Sequence, residues 1–186
     1  MKLILFPAFI IISLIQLFFP AKMIWNRERV IAANNNFKFR TAPVDPHDPF
    51  RGKYLFLQFQ ENQFKVDGSE DWAQNQDVFV LLSEDKEGFV KIADVYPTPP
   101  DDTPLYIKAK IGYVYDDAGK KIIINYPFEK FYMEESKAYD AELAYNASAQ
   151  DTTKVTYALV SVLKGEAVLN DVFIDNVSIK EVVKRK

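Results

Sequence analysis

The chain reads as a mainly β protein with a minor helical part. An N-terminal transmembrane helix is followed by an antiparallel β-sheet domain, a sandwich or partly closed barrel, with one helix packed on it. Three observations predict this. Leu3 to Ile24 is almost continuously apolar, and about 20 such residues cross a hydrocarbon core of about 30 Å. Beyond it, short runs of β-branched and aromatic residues recur between turn signals. One later segment, from Glu134 to Asn146, carries alanines and leucine at helical propensity behind an acidic start.

Ser13 and Gln16 are the only polar side chains in the apolar run before Lys22, and Trp25 stands where an interfacial aromatic belongs. The run is longer than a signal-peptide core, and Phe18-Phe19-Pro20-Ala21-Lys22 offers no small-x-small cleavage site. Residues 1–33 therefore read as an uncleaved anchor, with the lipid bilayer as its first partner. Residues 34–186 read as a single domain. The Asn34-Asn35-Asn36 triplet is a helix stop, because asparagine tolerates the left-handed cap.

The domain's elements follow in order. Phe37–Thr41 is a short strand. Lys53–Gln60 places Tyr54, Phe56, Gln58 and Gln60 on one face and Leu55, Leu57 and Phe59 on the other, and reads as a central, doubly covered strand. Asn62–Gln76 is polar and reads as a loop. Asp77–Ser83 and Phe89–Val95 pair across a charged turn, and the four prolines of Tyr96–Pro104 exclude a central strand there. Tyr106–Tyr115 and Lys121–Tyr126 form the clearest hairpin. Lys154–Leu163 and Ala167–Ile174 form another across Lys164-Gly165-Glu166, and Val177–Val183 reads as an edge strand.

The whole chain carries −3 and the domain about −6. An acidic domain repels phosphate backbones, which argues against nucleic acid as a partner. Only Lys180–Lys186 is locally basic, and it reads as a solvated tail rather than a lipid contact. There are no cysteines and one histidine. No zinc-thiolate site, cysteine nucleophile or site of several histidines can form within one chain. Phosphate loops, dinucleotide fingerprints and nucleophile elbows are absent, and no cofactor is implied.

The densest chemistry lies in RTAPVDPHDPFRGKYLFLQF, Arg40 to Phe59. Pro43, Pro46 and Pro49 stiffen a loop carrying Arg40, Asp45, His47, Asp48 and Arg51, which runs through Gly52 into Tyr54. These seven residues are the candidate interaction loop. The competing reading is turn chemistry, with Asx side chains bonding the backbone and the arginines bridging the carboxylates. His47 with Asp45 or Asp48 is the catalytic alternative, a hydrolase reading. Glu134 is a secondary candidate, read first as a solvated residue complementing a helix dipole. Ser136 and Lys137 are adjacent, so on a helix their side chains diverge, and Ser161 and Lys164 sit at a strand end and a turn. The aromatic set reads first as core. A groove for a lipid, peptide or glycan is the alternative.

The same stretch resembles the signature of the GDYXXLXY family of membrane-anchored bacterial proteins. Gly52-Lys53-Tyr54-Leu55-Phe56-Leu57-Gln58-Phe59 carries the pattern, with Lys53 for the family's Asp and Phe59 for its final Tyr. Pro43-Val44-Asp45-Pro46 and Arg51-Gly52 extend it, and PFEKFYMEES (residues 127–136) resembles a second block. The resemblance implies a signal-anchor with the domain outside the cytoplasm. Lys22, Arg27 and Arg29 beyond the apolar run point the other way by the positive-inside rule. The resemblance also implies a membrane protein partner, and no established activity. A charge reversal at Lys53 argues against any mechanism that needs an acid there. The expectation is a non-catalytic accessory protein docking on a membrane protein or envelope component.

Overall fold

The computed structural model describes residues 2–42, 54–66, 71–115, 120–151 and 153–184. Helix α1, Lys2–Ala32, is one piece of 31 residues, roughly 46 Å at the α-helical rise. It is long and apolar enough to cross a membrane, and its apolar side chains from Phe9 to Trp25 are exposed. Asn34 ends it in the left-handed region, φ 55°, as the triplet predicts. Val30 is already buried at 3% exposure, so the helix enters the domain before it ends.

The domain strands are β1 Asn36–Ala42, β2 Tyr54–Phe56, β3 Gln58–Phe59, β4 Gln63–Lys65, β5 Asp77–Glu84, β6 Val90–Tyr96, β7 Tyr106–Tyr115, β8 Lys121–Asn125, β9 Lys130–Tyr132, β10 Thr156–Leu163, β11 Glu166–Ile174 and β12 Val177–Ser178. Two further helices are α2, Glu135–Gln150, and α3, Ile179–Val182. One sheet runs β12-β11-β10-β1-β3 and another β4-β8-β7-β5-β6, with every strand pair antiparallel. Parallel bridges Lys38–Phe89 and Ile107–Gly165 join the two, giving a nearly closed, barrel-like sheet. At the second seam the β10–β11 turn bonds to the start of β7. Lys108 N–H donates to the Gly165 carbonyl at 2.9 Å, and Gly165 N–H to the Tyr106 carbonyl at 3.0 Å. Lys164 and Gly165 both have positive φ, as a tight hairpin turn requires. A side chain on Gly165 would also meet the Tyr106 ring at 3.1 Å.

The core follows from strand alternation. Val78, Val80, Ile107, Ile111, Ile122, Val160 and Val162 are fully enclosed. Phe39 sits among Phe59, Tyr126 and Phe128, with ring centroids 5.2–5.5 Å away and edge-on geometry, which suits the ring quadrupoles.

Three expectations need correction. Lys53–Gln60 is not one central strand. Its alternation is right, with Leu55, Leu57 and Phe59 buried. But the segment changes partner at Leu57: β2 pairs with β9, and β3 with β1. Leu57 N–H donates to the Glu129 carbonyl between them, 2.8 Å. Tyr54 and Phe56 are only half-buried, so one face of β2 is not fully covered. Asn62–Gln76 contains β4, which edges one sheet. Val177–Val183 is mostly helix α3, because Ser178 caps it by accepting the Lys180 N–H at 3.2 Å. Ile179 and Val183 pack inward, while Lys180 and Lys184 of the expected solvated tail are exposed.

Candidate functional site

The signature strand occupies a separate two-stranded ladder. Tyr54 faces Tyr132, Leu55 faces Phe131, and Phe56 faces Lys130. Leu55 and Phe131 point into the core, so the period of two turns Tyr54 and Tyr132 outward together. Their rings lie 5.6 Å apart. The Lys130 ammonium stands 4.8 Å from the Tyr54 ring centre, a cation–π distance. Tyr132 is 68% exposed, as is Tyr139 on α2, where Leu143 follows one turn later on the same face. The outer face of the β2–β9 ladder is therefore aromatic with one cation, Lys130.

Helix α2 holds the end of β1, from which the proline loop departs in sequence. Its Tyr145 is fully buried and donates from its hydroxyl to the Ala42 carbonyl at 3.1 Å. Ser148 donates to the Tyr145 carbonyl and accepts from Thr156, while Thr41 donates to the Thr156 carbonyl. Burial pushes the Tyr145 hydroxyl up to about 12, opposed by hydrogen bonds from Thr41 and the backbone at Gln58. These are satisfied buried polar groups, the arrangement that fixes one packing.

Beside β9, toward β11, lies a groove of about 620 Å³. Arg27 of α1 and Lys180 of α3 line it, Lys130 of β9 stands at its rim with its ammonium over Tyr54, and Glu129 is the one carboxylate among the described lining residues. Buried Phe128 and Phe131 contribute to its floor. Lys180 lies 5.2 Å from the Phe131 ring centre and 3.9 Å from Asp171. Glu129 also reaches a second cavity of about 350 Å³ bounded by β3 and β8. Burial raises its carboxyl above the ordinary value, with Lys130 pulling the other way.

The sequence candidates divide. Asp45, His47, Asp48, Arg51 and Gly52 lie outside the described residues. Arg40 is engaged within the domain: its guanidinium pairs with Glu87 and lies 3.9 Å from the Phe89 ring centre. Asp85 shapes that turn by accepting the Glu87 and Phe89 N–H groups, each at 2.9 Å. The Phe89 bond foremost holds the Asp85 carboxyl below its usual range. Glu134 precedes α2 and pairs with Lys137, whose hydrogen bond and charge keep its carboxyl low. Ser161 donates to Asn36 at 2.6 Å and accepts from Asn170 at 2.7 Å, so its hydroxyl serves the join between β1 and β10–β11. Among the described residues no three His, Cys, Asp or Glu gather as a metal would need.

The groove cations and Glu129 were not legible as a set. They come from three distant parts of the chain, and each was visible only as a local charge: Arg27 after the apolar run, Glu129 and Lys130 inside PFEKFY, and Lys180 in the basic tail.

Fold and site together define a nearly closed β-domain carried on a helix able to span a membrane, with an aromatic–basic ladder at its signature strand. The chain matches the GDYXXLXY protein family over residues 16–172 and belongs to it. No curated protein and no solved structure matches it.

Proposed function

We propose that the protein is a membrane-anchored, non-catalytic interaction subunit whose domain docks on a membrane protein partner outside the cytoplasm. One observation carries this reading: the family's signature strand does not complete a large sheet but presents Tyr54 beside exposed Tyr132 and Lys130. Large aromatics and cations on one exposed face are the residue types that anchor protein interfaces. The charged residues Asp45, His47, Asp48 and Arg51, which precede Tyr54 in sequence, remain interaction candidates from their sequence alone. Arg40 instead supports the fold at the β5–β6 turn.

The test is purification of the full-length protein from native membranes in mild detergent, followed by intact-complex mass spectrometry. A stoichiometric membrane protein is expected. It is lost from Tyr132→Ala/Tyr139→Ala, and separately from Asp45→Ala/Arg51→Ala, while both variants melt within about 2 °C of wild type, as surface changes do. A complex that survives both double variants refutes the assignment of this surface.

A further inference from the structure

We propose that the groove between α1, β9 and α3 binds the phosphate group of a membrane lipid headgroup, taken from the leaflet that faces the domain. The inference rests on the membrane-anchored reading and adds a ligand to it.

The first support is position. Trp25, 70% exposed, marks the interfacial end of the apolar span. Arg27 lies two residues further, about 3 Å along the axis. The polar layer on each side of the hydrocarbon is several ångströms thick, so Arg27 stands among the headgroups. The groove it lines therefore opens at lipid-phosphate depth.

The second support is charge. The domain as a whole is acidic, yet the groove lining gathers three cations against one carboxylate. Each cation comes from a different element, so the concentration is a product of folding. Arg27 has no acidic partner among the described residues, and Lys180 has only a loose one, 3.9 Å from Asp171. Lys180 leans on the ring of Phe131 in the groove, which orients it without neutralising it, and Lys130, held over Tyr54, adds its charge from the rim.

The third support is size and surface. A groove of about 620 Å³ falls in the range of small-molecule sites. Its exposed lining is mostly polar, which suits a phosphate and its glycerol oxygens. Arginine supplies a forked donor to phosphate oxygens, and lysines supply point charges.

The experiment uses the purified full-length chain in nanodiscs of phosphatidylcholine with increasing phosphatidylglycerol, and native mass spectrometry after release into neutral detergent. The wild type is expected to retain about one phosphatidylglycerol and to melt higher as its fraction rises. Each basic side chain near a membrane surface contributes roughly five-fold in affinity. Arg27→Gln/Lys130→Gln/Lys180→Gln is therefore expected to weaken retention by on the order of 100-fold. Lys65→Gln/Lys86→Gln/Lys121→Gln removes equal charge outside the groove and is expected to change it only a few-fold. Arg27 is exposed on α1, so Arg27→Gln alone leaves the core intact and is expected to lose about five-fold. Equal retention by both triple variants overturns the proposal. So does inorganic phosphate that raises the melting temperature in detergent as much as the lipid does, since that marks a soluble anion as the ligand. No partner protein is present, so failure here leaves the docking surface to its own test.

Discussion

Tyr145→Phe offers a sharp probe of the network that fastens α2 to the strands leading to the site. The ring is fully buried and the hydroxyl donates to the Ala42 carbonyl at 3.1 Å. Removing the oxygen keeps the packing and deletes one buried hydrogen bond, about 1 kcal/mol at neutral pH, rising toward 3 if the carbonyl is left without a donor. In a domain of this size 1 kcal/mol moves the melting temperature by about 2–4 °C. The pH dependence has a definite sign. Folding raises the Tyr145 hydroxyl from 10.0 to about 12, chiefly by burial. The unfolded chain therefore gives up this proton first. The contribution of neutral Tyr145 is complete below pH 10 and is lost as pH climbs toward 12, at about 1.4 kcal/mol per pH unit. At about pH 11 the wild type has lost roughly what the variant lost at pH 7. The two melting curves are expected to converge there and cross above it, while other groups titrate alike in both proteins. The assay is thermal unfolding of the full chain in neutral detergent from pH 7 to 11.5, followed by the fluorescence of buried Trp72. A constant gap between the two proteins across that range refutes the reasoning, because the hydroxyl would then not be titrating from a buried, bonded position.

Two other outcomes follow from the geometry. Arg40→Gln removes a partly exposed pair with Glu87 and a stacked contact with Phe89. It is expected to cost no more than about 1 kcal/mol, seen as a melting shift of a few degrees, and a collapse of folding would show a larger role. The chain has no cysteine, so Lys86→Cys on the exposed β5–β6 turn is the only thiol. A membrane-impermeant maleimide is expected to label it on intact cells, and labelling only after lysis would place the domain in the cytoplasm.

The regular hairpins were legible because their apolar alternation and turn chemistry agree. β7–β8 and β10–β11 need nothing beyond local sequence, and Asn34 announces the end of α1. The signature strand was misread because its alternation is the same whether its backbone pairs with one neighbour or two. Only the distant β9 and β1 decide that it switches ladders at Leu57. At the C-terminus a local signal did exist. Ser178 and Glu181 have capping-box spacing, and the β-branched run around them concealed it. Glu129 and Lys180 were legible as charged residues but not as neighbours of Arg27. Their meeting depends on α1 packing against β10 and β11, a tertiary fact with no signature in any short stretch.

The join between anchor and domain is short and tied down: three residues separate α1 from β1, Val30 is buried, and Val162 N–H donates to the Asn35 carbonyl at 2.9 Å. Such a join fixes azimuth as well as height. One residue added between Ile24 and Arg27 would turn the domain by about 100° around the membrane normal and lift it by only about 1.5 Å. On the membrane-spanning reading of α1, its rotational phase decides which face of the domain a neighbour in the plane of the membrane meets. A partner gripping α1 would thereby also aim the domain.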